Sequence, residues 1–145
     1  MSDRASVSRD NLGFLLAKAS QRWNELLADR FREAGFPAVR PSFGSVLVPL
    51  LEEDGLRMGE LAARARLSKQ AMTTLVRAVE EAGLVVRELD PADGRATRVR
   101  LTEEGRRFRP VAEQSLRELD ELVRASLDDA ELDRIVTALR KVVEL

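Results

Sequence analysis

Residues 84–105 have the sequence LVVRELDPADGRATRVRLTEEG, which combines two strand-like runs with a turn between them. Two short runs, Leu84–Leu89 and Thr97–Leu101, flank a segment rich in turn-forming residues. In the second run apolar residues alternate with arginines, which predicts one buried face and one cationic face. The stretch therefore predicts a β-hairpin whose loop, residues 90–96, holds Arg95 out near its tip.

Two short helices are predicted immediately before this hairpin. They span Gly59–Ala65 and Ser68–Gly83, where apolar residues recur at helical spacing. Ser68 is a good N-cap residue, because its hydroxyl can accept a hydrogen bond from an otherwise unpaired amide. A helix, a tight turn, a second helix and a hairpin in this order are the pattern of a winged helix-turn-helix.

Longer helices are predicted on both sides of this unit. One spans residues 9–34 and another spans residues 42–53, in which Pro49 should bend or split the helix. A long helix follows at about residues 103–125, and a final helix begins after Asp128, its predicted N-cap. The predicted fold class is mainly α with a small β-hairpin wing, in one domain over residues 1–145.

The composition excludes several classes of protein. The chain has 145 residues, 44% of them apolar and 34% charged, which suits one globular domain. It lacks an apolar run near the roughly 20 residues that span a bilayer, and its N-terminus lacks a signal-peptide core, so we expect a cytoplasmic protein with no membrane partner. Without cysteine or histidine it has no disulfide, thiolate zinc site or histidine general base. No phosphate loop, nucleophile–base pair or metal cluster is present in the sequence, so we expect neither an enzyme nor a bound cofactor or metal.

Charge is distributed unevenly along the chain. The net charge is −1, but residues 64–110 hold 11 basic and 7 acidic side chains, and residues 111–145 hold 5 basic and 9 acidic ones. The middle segment can therefore attract phosphates. Ordinary solvated helix faces explain the same counts, and charge alone does not separate the two interpretations.

The second short helix carries polar residues suited to DNA. Glutamine and arginine can make two hydrogen bonds to base edges, threonine methyls can contact thymine, and serine or lysine can bind phosphates. Such residues also occur on helices that merely face solvent, but residues 68–79 contain no acidic side chain, which favours DNA. The candidates for DNA contact on this helix are Ser68, Lys69, Gln70, Thr73, Thr74 and Arg77.

The hairpin supplies the remaining candidates for DNA contact. Arg95 can enter a narrow minor groove, where the electrostatic potential is most negative. Asp93 is expected to accept a hydrogen bond from Arg95 and aim it, or to serve only as a turn residue. Arg98 either flanks the phosphates or is an exposed strand residue.

The segment Met58–Gly105 resembles the core of the multiple-antibiotic-resistance regulator (MarR) family. The spacing of the shared motifs is specific, and the flanking predicted helices agree with the family in number and order. The motifs are E-L-A at 60–62, L-S at 67–68, G-L-V at 83–85, D-P-x-D-x-R at 90–95 and L-T-x-x-G at 101–105.

This resemblance implies a homodimeric winged-helix transcription regulator, usually a repressor, that binds double-stranded DNA. It implies a winged helix-turn-helix lobe at residues 40–102, and dimerisation helices at residues 1–36 and 103–145 that interlock between two protomers. By position, the recognition-helix candidates and the wing residues Asp93 and Arg95 match the family's DNA-binding residues. Two such lobes would dock one helical turn apart, about 34 Å, on a pseudo-palindromic operator.

Three positions depart from the family pattern. Arg66 stands where glycine is common in the turn between the two short helices, and a left-handed backbone there costs a non-glycine residue about 1 kcal/mol, so we expect a reshaped turn. Gly94 replaces a common wing arginine, which removes one phosphate contact. Arg57 stands where a serine or threonine cap is usual.

The resemblance also implies a small aromatic or anionic effector, bound between the dimerisation helices and the DNA-binding lobe, that releases the operator. The same residues suit a core or an interface, so packing is the competing interpretation. A ligand-independent winged-helix DNA-binding protein is the alternative function, whereas a pure protein-interaction module would show no salt-dependent DNA affinity. The candidate wall residues are Phe14, Trp23, Phe43, Val46, Leu47 and Phe108.

Overall fold

The computed structural model describes residues 6–145, which fold into six α-helices, a short 3-10 helix and a three-stranded sheet. Residues 1–5 of the predicted dimerisation segment lie outside the described residues. In chain order the elements are α1 (Leu12–Glu33), the 3-10 turn (Pro41–Phe43), α2 (Gly44–Glu52), β1 (Leu56–Arg57), α3 (Met58–Ala65), α4 (Lys69–Glu81), β2 (Val85–Asp90), β3 (Asp93–Leu101), α5 (Glu103–Ser126) and α6 (Asp129–Val143).

Side-chain caps fix where several of these helices begin. The hydroxyl of Ser68 accepts from the Ala71 amide at 3.1 Å at the start of α4. Asp128 accepts from the Glu131 amide at 2.7 Å, and the Glu131 carboxylate accepts in return from the Asp128 amide at 3.3 Å. These contacts confirm the predicted N-caps of α4 and α6, because each satisfies an amide that has no partner inside the helix.

The second predicted helix differs from expectation in one respect. Pro49 does not split α2, which runs without interruption from Gly44 to Glu52. Its last turn is closed by the Glu53 amide, which donates to the Pro49 carbonyl at 2.9 Å. The proline ring removes one amide donor and crowds the carbonyl four residues earlier, yet α2 continues for three residues beyond it. The interruption lies earlier instead, where Pro41 begins a separate 3-10 turn.

The sheet is antiparallel, with strand order β1-β3-β2. The predicted hairpin is confirmed, but its loop is much shorter than residues 90–96, because the strands continue until Asp90 pairs with Asp93. Only Pro91 and Ala92 lie between them. β1 pairs Leu56 with Val99, and the sequence did not predict this strand, because two residues are too few to show strand alternation.

A tight joint connects the hairpin to α5. The Thr102 amide donates to the Leu84 carbonyl at 2.9 Å, and its hydroxyl donates to the Gly83 carbonyl at 2.6 Å. Gly105 lies in the first turn of α5, so close to this joint that an added Cβ would stand 2.2 Å from the Leu84 carbonyl oxygen. The L-T-x-x-G motif is therefore the joint itself.

The hydrophobic core begins in the winged-helix lobe and continues into the long helices. Leu61, Met72 and Val99 are fully buried where α3, α4 and the sheet meet. Further along, the rings of Phe31 in α1 and Phe108 in α5 pack edge to face with centroids 4.8 Å apart. The buried side chains of the lobe and of the long helices form one continuous hydrophobic cluster.

The outer helices leave apolar side chains uncovered. Within residues 6–145, α6 has no buried residue, and Ile135 and Leu139 on it are about two-fifths exposed. Leu12 and Leu15 on α1 and Leu122 on α5 are about half exposed. None of the helices in this part of the chain is both long and apolar enough to cross a membrane.

Candidate nucleic-acid interface

The turn between α3 and α4 is built around Arg66, which adopts the left-handed conformation with φ 55° and ψ 39°. The Leu67 amide donates to the Ala62 carbonyl at 3.0 Å, and the Arg66 amide donates to the Ala63 carbonyl at 3.3 Å. This is the hydrogen-bond pattern with which a glycine usually ends a helix. The expected reshaping of the turn is wrong, because Arg66 itself takes up the strained conformation.

α4 presents a buried face and a polar face. Met72, Val76 and Val79 are fully buried against α3 and the sheet. At 100° per residue Gln70, Thr73, Thr74 and Arg77 fall away from these buried residues, whereas Lys69 lies seven residues before Val76 and therefore beside the buried face, where the first turn of the helix is exposed. Lys69, Gln70, Thr74 and Arg77 are exposed, Thr73 is partly exposed, and Ser68 caps the helix.

The polar side chains of this face are engaged to different degrees. The hydroxyls of Thr73 and Thr74 donate to the carbonyls one turn earlier, at 2.8 and 3.1 Å, which leaves their methyl groups and oxygen lone pairs for other contacts. Among residues 6–145, the side chains of Lys69, Gln70 and Arg77 find no hydrogen-bond or ion-pair partner. The three longest side chains of the polar face are thus available to an external ligand.

The hairpin holds Arg95 within β3 rather than in a loop, and its side chain is exposed. The Asp93 carboxylate accepts from the backbone amide of Arg95 at 3.1 Å. The expectation that Asp93 aims the Arg95 side chain is therefore wrong, since its contact fixes the backbone of the turn instead. In the described part of the chain the Arg95 guanidinium has no ion-pair partner.

Arg98 does not fit either prediction made for it. Its guanidinium donates to the Gly55 carbonyl at 2.7 Å and lies 3.2 Å from the carboxylate of Asp90. The side chain is neither a freely exposed strand residue nor aimed at solvent, because these contacts hold it between β3 and the loop before β1. Arg100, its neighbour on the same strand, pairs with Glu88.

The buried partner of Arg98 is a site that sequence reasoning missed. The side chain of Asp90 is 1% exposed, and Arg57 at the start of α3 lies 2.7 Å from the same carboxylate. The hydrogen bond from the Ala92 amide, with Arg98 and Arg57 nearby, holds the pKa of the Asp90 carboxyl below its usual range. An aspartate before proline is typical of a turn, so no local pattern predicts that this one is buried.

An open groove of about 600 Å³ separates α4 from the hairpin. Four of its ten lining residues are cationic, one is the acidic Glu60, and the others are two threonines, a glycine, an alanine and a methionine. Arg87 is paired with Glu80 at 3.0 Å, and the hydrogen bond from Arg87 lowers the pKa of that carboxyl. The groove is lined by the N-terminal residues of α3, by Lys69 and Thr73 of α4, and by Arg87, Arg95, Ala96 and Thr97 of the hairpin.

The residues proposed to contact an effector do not converge on one cavity. Leu47 and Phe108 line a narrow apolar cavity of about 120 Å³ between α1, α2 and α5. Trp23 lines a different groove between α1 and α5. Phe43 and Val46 are buried in the core, and Phe14 is 44% exposed on α1. Within residues 6–145 no group of three or more acidic, histidine or cysteine side chains is placed to hold a metal ion.

Comparison with known proteins finds similarity to transcription regulators. Residues 45–96 match the model of the MarR family. An HTH-type transcriptional repressor of Mycobacterium tuberculosis is 38% identical over 78 residues, which are 54% of this chain and 56% of the repressor. In that match the chain spans about half the length of its relative.

Two solved structures cover nearly the whole chain. CouR from Rhodococcus jostii RHA1, solved with p-coumaroyl-CoA, is 29% identical with a TM-score of 0.72, over 94% of this chain and 95% of that one. A transcriptional repressor named CouR, solved on a 23-mer DNA duplex, is 22% identical with a TM-score of 0.80, over 96% of this chain and 99% of that one. The second likeness shows the fold alone, and it confirms the predicted winged-helix class.

Proposed function

We propose that this chain is a member of the MarR family and a sequence-specific DNA-binding regulator of transcription that acts as a homodimeric repressor rather than an enzyme. The observation that carries the proposal is the groove between α4 and the hairpin. Unpaired cationic side chains, Lys69 and Arg95, stand on its two walls. We place the protein in the cytoplasm, where a bacterial operator is found.

The two elements that form the groove, α4 and the hairpin, suit different parts of a DNA duplex. α4 enters the major groove, where Gln70 and Arg77 contact base edges by two-point hydrogen bonds. Ser68, Lys69 and Thr74 lie toward the backbone and bind phosphates, Thr73 contributes its methyl group, and Arg95 enters the adjacent minor groove. Asp93 keeps the turn in shape, and Arg98 acts through the structure of the wing rather than through DNA.

Uncovered apolar side chains support a dimer. In α6 the residues Ile135, Val136, Leu139 and Val142 follow one another at helical spacing, and each remains about two-fifths exposed. Exposed apolar surface of this kind is a usual sign of a protein interface. The segments 1–36 and 103–145 would form this interface and carry the two lobes, residues 40–102, about 34 Å apart on a pseudo-palindrome.

The cavity between α1, α2 and α5 is the best candidate for an effector site. Its volume of about 120 Å³ is close to the roughly 150 Å³ that accommodates benzene in an engineered apolar cavity. Arg40 lines it, with its guanidinium 5.7 Å from the centre of the Phe43 ring. A single aromatic ring would fill a cavity of this size, so an acidic group on the ring would extend toward Arg40; the p-coumaroyl-CoA bound by CouR also carries an aromatic ring.

Selection of bound duplexes from a random pool, followed by sequencing, tests DNA recognition and symmetry together. We expect an inverted repeat whose half-sites lie one helical turn apart. Recovery of unrelated sequences in equal amounts would refute sequence-specific binding. Thermal shift with a panel of aromatic acids then separates the two regulator types, because a ligand-independent protein gains no stability from any of them.

A further inference from the structure

The ion-pair triangle Arg57–Asp90–Arg98 lies at the base of the hairpin and has no part in the function proposed above. Asp90 is buried, and its carboxylate is shared by two arginines at 2.7 and 3.2 Å. Arg57 is the last residue of β1 and the N-cap of α3, and Arg98 lies in β3, so the triangle fixes the hairpin relative to the start of α3. Two guanidinium charges against one carboxylate leave a net charge of +1.

That charge faces the groove between α4 and the hairpin. Arg57 is 43% exposed and lines the groove, whereas Arg98 is directed inward to the Gly55 carbonyl. A guanidinium has five N–H donors, so one contact with Asp90 leaves others for a ligand. The exposed part of the triangle is therefore an arginine held in a fixed orientation.

The position of the groove determines what would pass through it. With α4 in a major groove and the hairpin in the adjacent minor groove, the sugar-phosphate strand between those grooves must run between the two elements. Lys69 and Arg95 mark the two sides of that path, and Arg57 lines the same groove.

We propose that Arg57 is a further phosphate-contacting residue of the DNA interface, and that Asp90 is the positioning residue that aims it. This inference rests on the proposed DNA-binding function. It is specific to this chain, because Arg57 occupies a position where the family usually has a small capping residue. One hydrogen bond of a capping box is present there, because the Glu60 carboxylate accepts from the Arg57 amide at 3.0 Å. The reciprocal hydrogen bond is missing, because an arginine side chain has no acceptor atom.

The first test compares Arg57→Gln with Arg64→Gln by measuring DNA affinity over a series of salt concentrations. Arg64 is a matched control, because it lies on the same helix, is 40% exposed and pairs with Glu53 at 2.7 Å, but does not line the groove. The duplex is the one selected by the wild-type protein. A wild type that fails to bind it at low salt refutes the proposed function itself, whereas the comparison of variants tests only the inference.

Loss of one phosphate contact in each protomer lowers the slope of log affinity against log salt by about 1.8. The ratio of wild-type to Arg57→Gln DNA affinity should therefore fall about 12-fold between 50 and 200 mM salt, equally on cognate and unrelated duplexes. Arg64→Gln should keep the wild-type slope. An Arg57→Gln slope equal to that of Arg64→Gln would overturn the phosphate contact.

The second test measures the DNA affinity of Asp90→Asn, because a charge effect would raise that affinity and loss of positioning would lower it. The substitution adds one positive charge near DNA, so an effect of charge alone would tighten binding. Loss of the partner that aims Arg57 should weaken it at least several-fold, and Asp90→Asn should cause no further loss in the Arg57→Gln background. Tighter binding, or equal losses in both backgrounds, would overturn the positioning role. Should Asp90→Asn not fold, Arg57→Lys keeps the charge without the planar fork, and wild-type affinity in that variant would overturn the same role.

Discussion

Replacement of Gly105 by alanine should loosen the joint between the hairpin and α5. The new methyl carbon would stand 2.2 Å from the Leu84 carbonyl oxygen, whereas carbon–oxygen contacts lie near about 3.3 Å, so the helix must move by about 1 Å. That movement strains the hydrogen bonds of Thr102 to Gly83 and Leu84. In the free energy of unfolding, overpacking costs about 1–3 kcal/mol and a weakened hydrogen bond costs about 1 kcal/mol. Alanine is a better helix former than glycine, which offsets less than about 1 kcal/mol of that cost. We expect a net loss of about 2–3 kcal/mol in the free energy of unfolding.

Thermal melting monitored by circular dichroism at one fixed protein concentration measures this loss. For a chain of this length, 2–3 kcal/mol lowers the melting temperature by roughly 5–10 °C. Gly44→Ala is the control, because that glycine is helical and no heavy atom lies within 4 Å of its added Cβ, so it should stabilise slightly. Equal melting temperatures for Gly105→Ala and the wild type would refute the close-approach argument.

Three further predictions concern DNA contacts and pH. Arg95→Ala should weaken DNA binding at least several-fold in fluorescence anisotropy with no change in melting temperature, because the side chain is exposed; unchanged affinity for the cognate duplex would remove the wing from the interface. Gln70→Ala and Arg77→Ala should each relax preference at particular base pairs by about 1–3 kcal/mol in competition binding, whereas an equal loss on every sequence would indicate phosphate contact. The folded pKa of Glu80 lies below its usual 4.5 because Arg87 donates to it, so its contribution to stability is present above pH 4.5 and is lost as pH falls through the folded pKa. Urea unfolding of Glu80→Gln should therefore depend less on pH below 4.5 than that of the wild type, and identical pH profiles would count against the pair.

The order of elements could be predicted from the sequence because local signals mark it. Ser68 and Asp128 lie where an unpaired amide needs an acceptor, and Gly83 lies where a left-handed residue ends α4 with φ 83°. The spacing of apolar residues fixed which face of α4 is buried, and so placed Gln70 and Arg77 on the free face. These features depend on residues within one or two turns of each other.

Features that depend on residues far apart in the chain could not be predicted from the sequence. β1 exists because Leu56 meets Val99 across the sheet, and two residues carry no pattern of their own. Asp90 is recognised as a buried ion-pair centre only when Arg57, far from it in sequence, is brought within 2.7 Å. The hairpin loop was predicted too long because aspartate, proline and glycine favour turns, although pairing of the strands extends to Asp90 and Asp93.

Arg66 adopts the left-handed conformation that glycine usually provides at this turn, so the turn keeps its shape despite the substitution. The left-handed backbone costs about 1 kcal/mol, but the helix end gains both hydrogen bonds of a normal termination. Its guanidinium also donates to the Val143 carbonyl at 2.7 Å at the end of α6. Local sequence patterns could not predict this contact between the α3–α4 turn and α6, because the two segments lie far apart in the chain.

Sedimentation of the purified protein, alone and mixed with a labelled duplex from the selected pool, measures dimer formation and DNA binding in one experiment. We expect a dimer at micromolar concentration that carries the duplex with it at low salt and releases it as salt rises. A monomer that leaves the duplex sedimenting as free DNA at low salt would contradict this expectation.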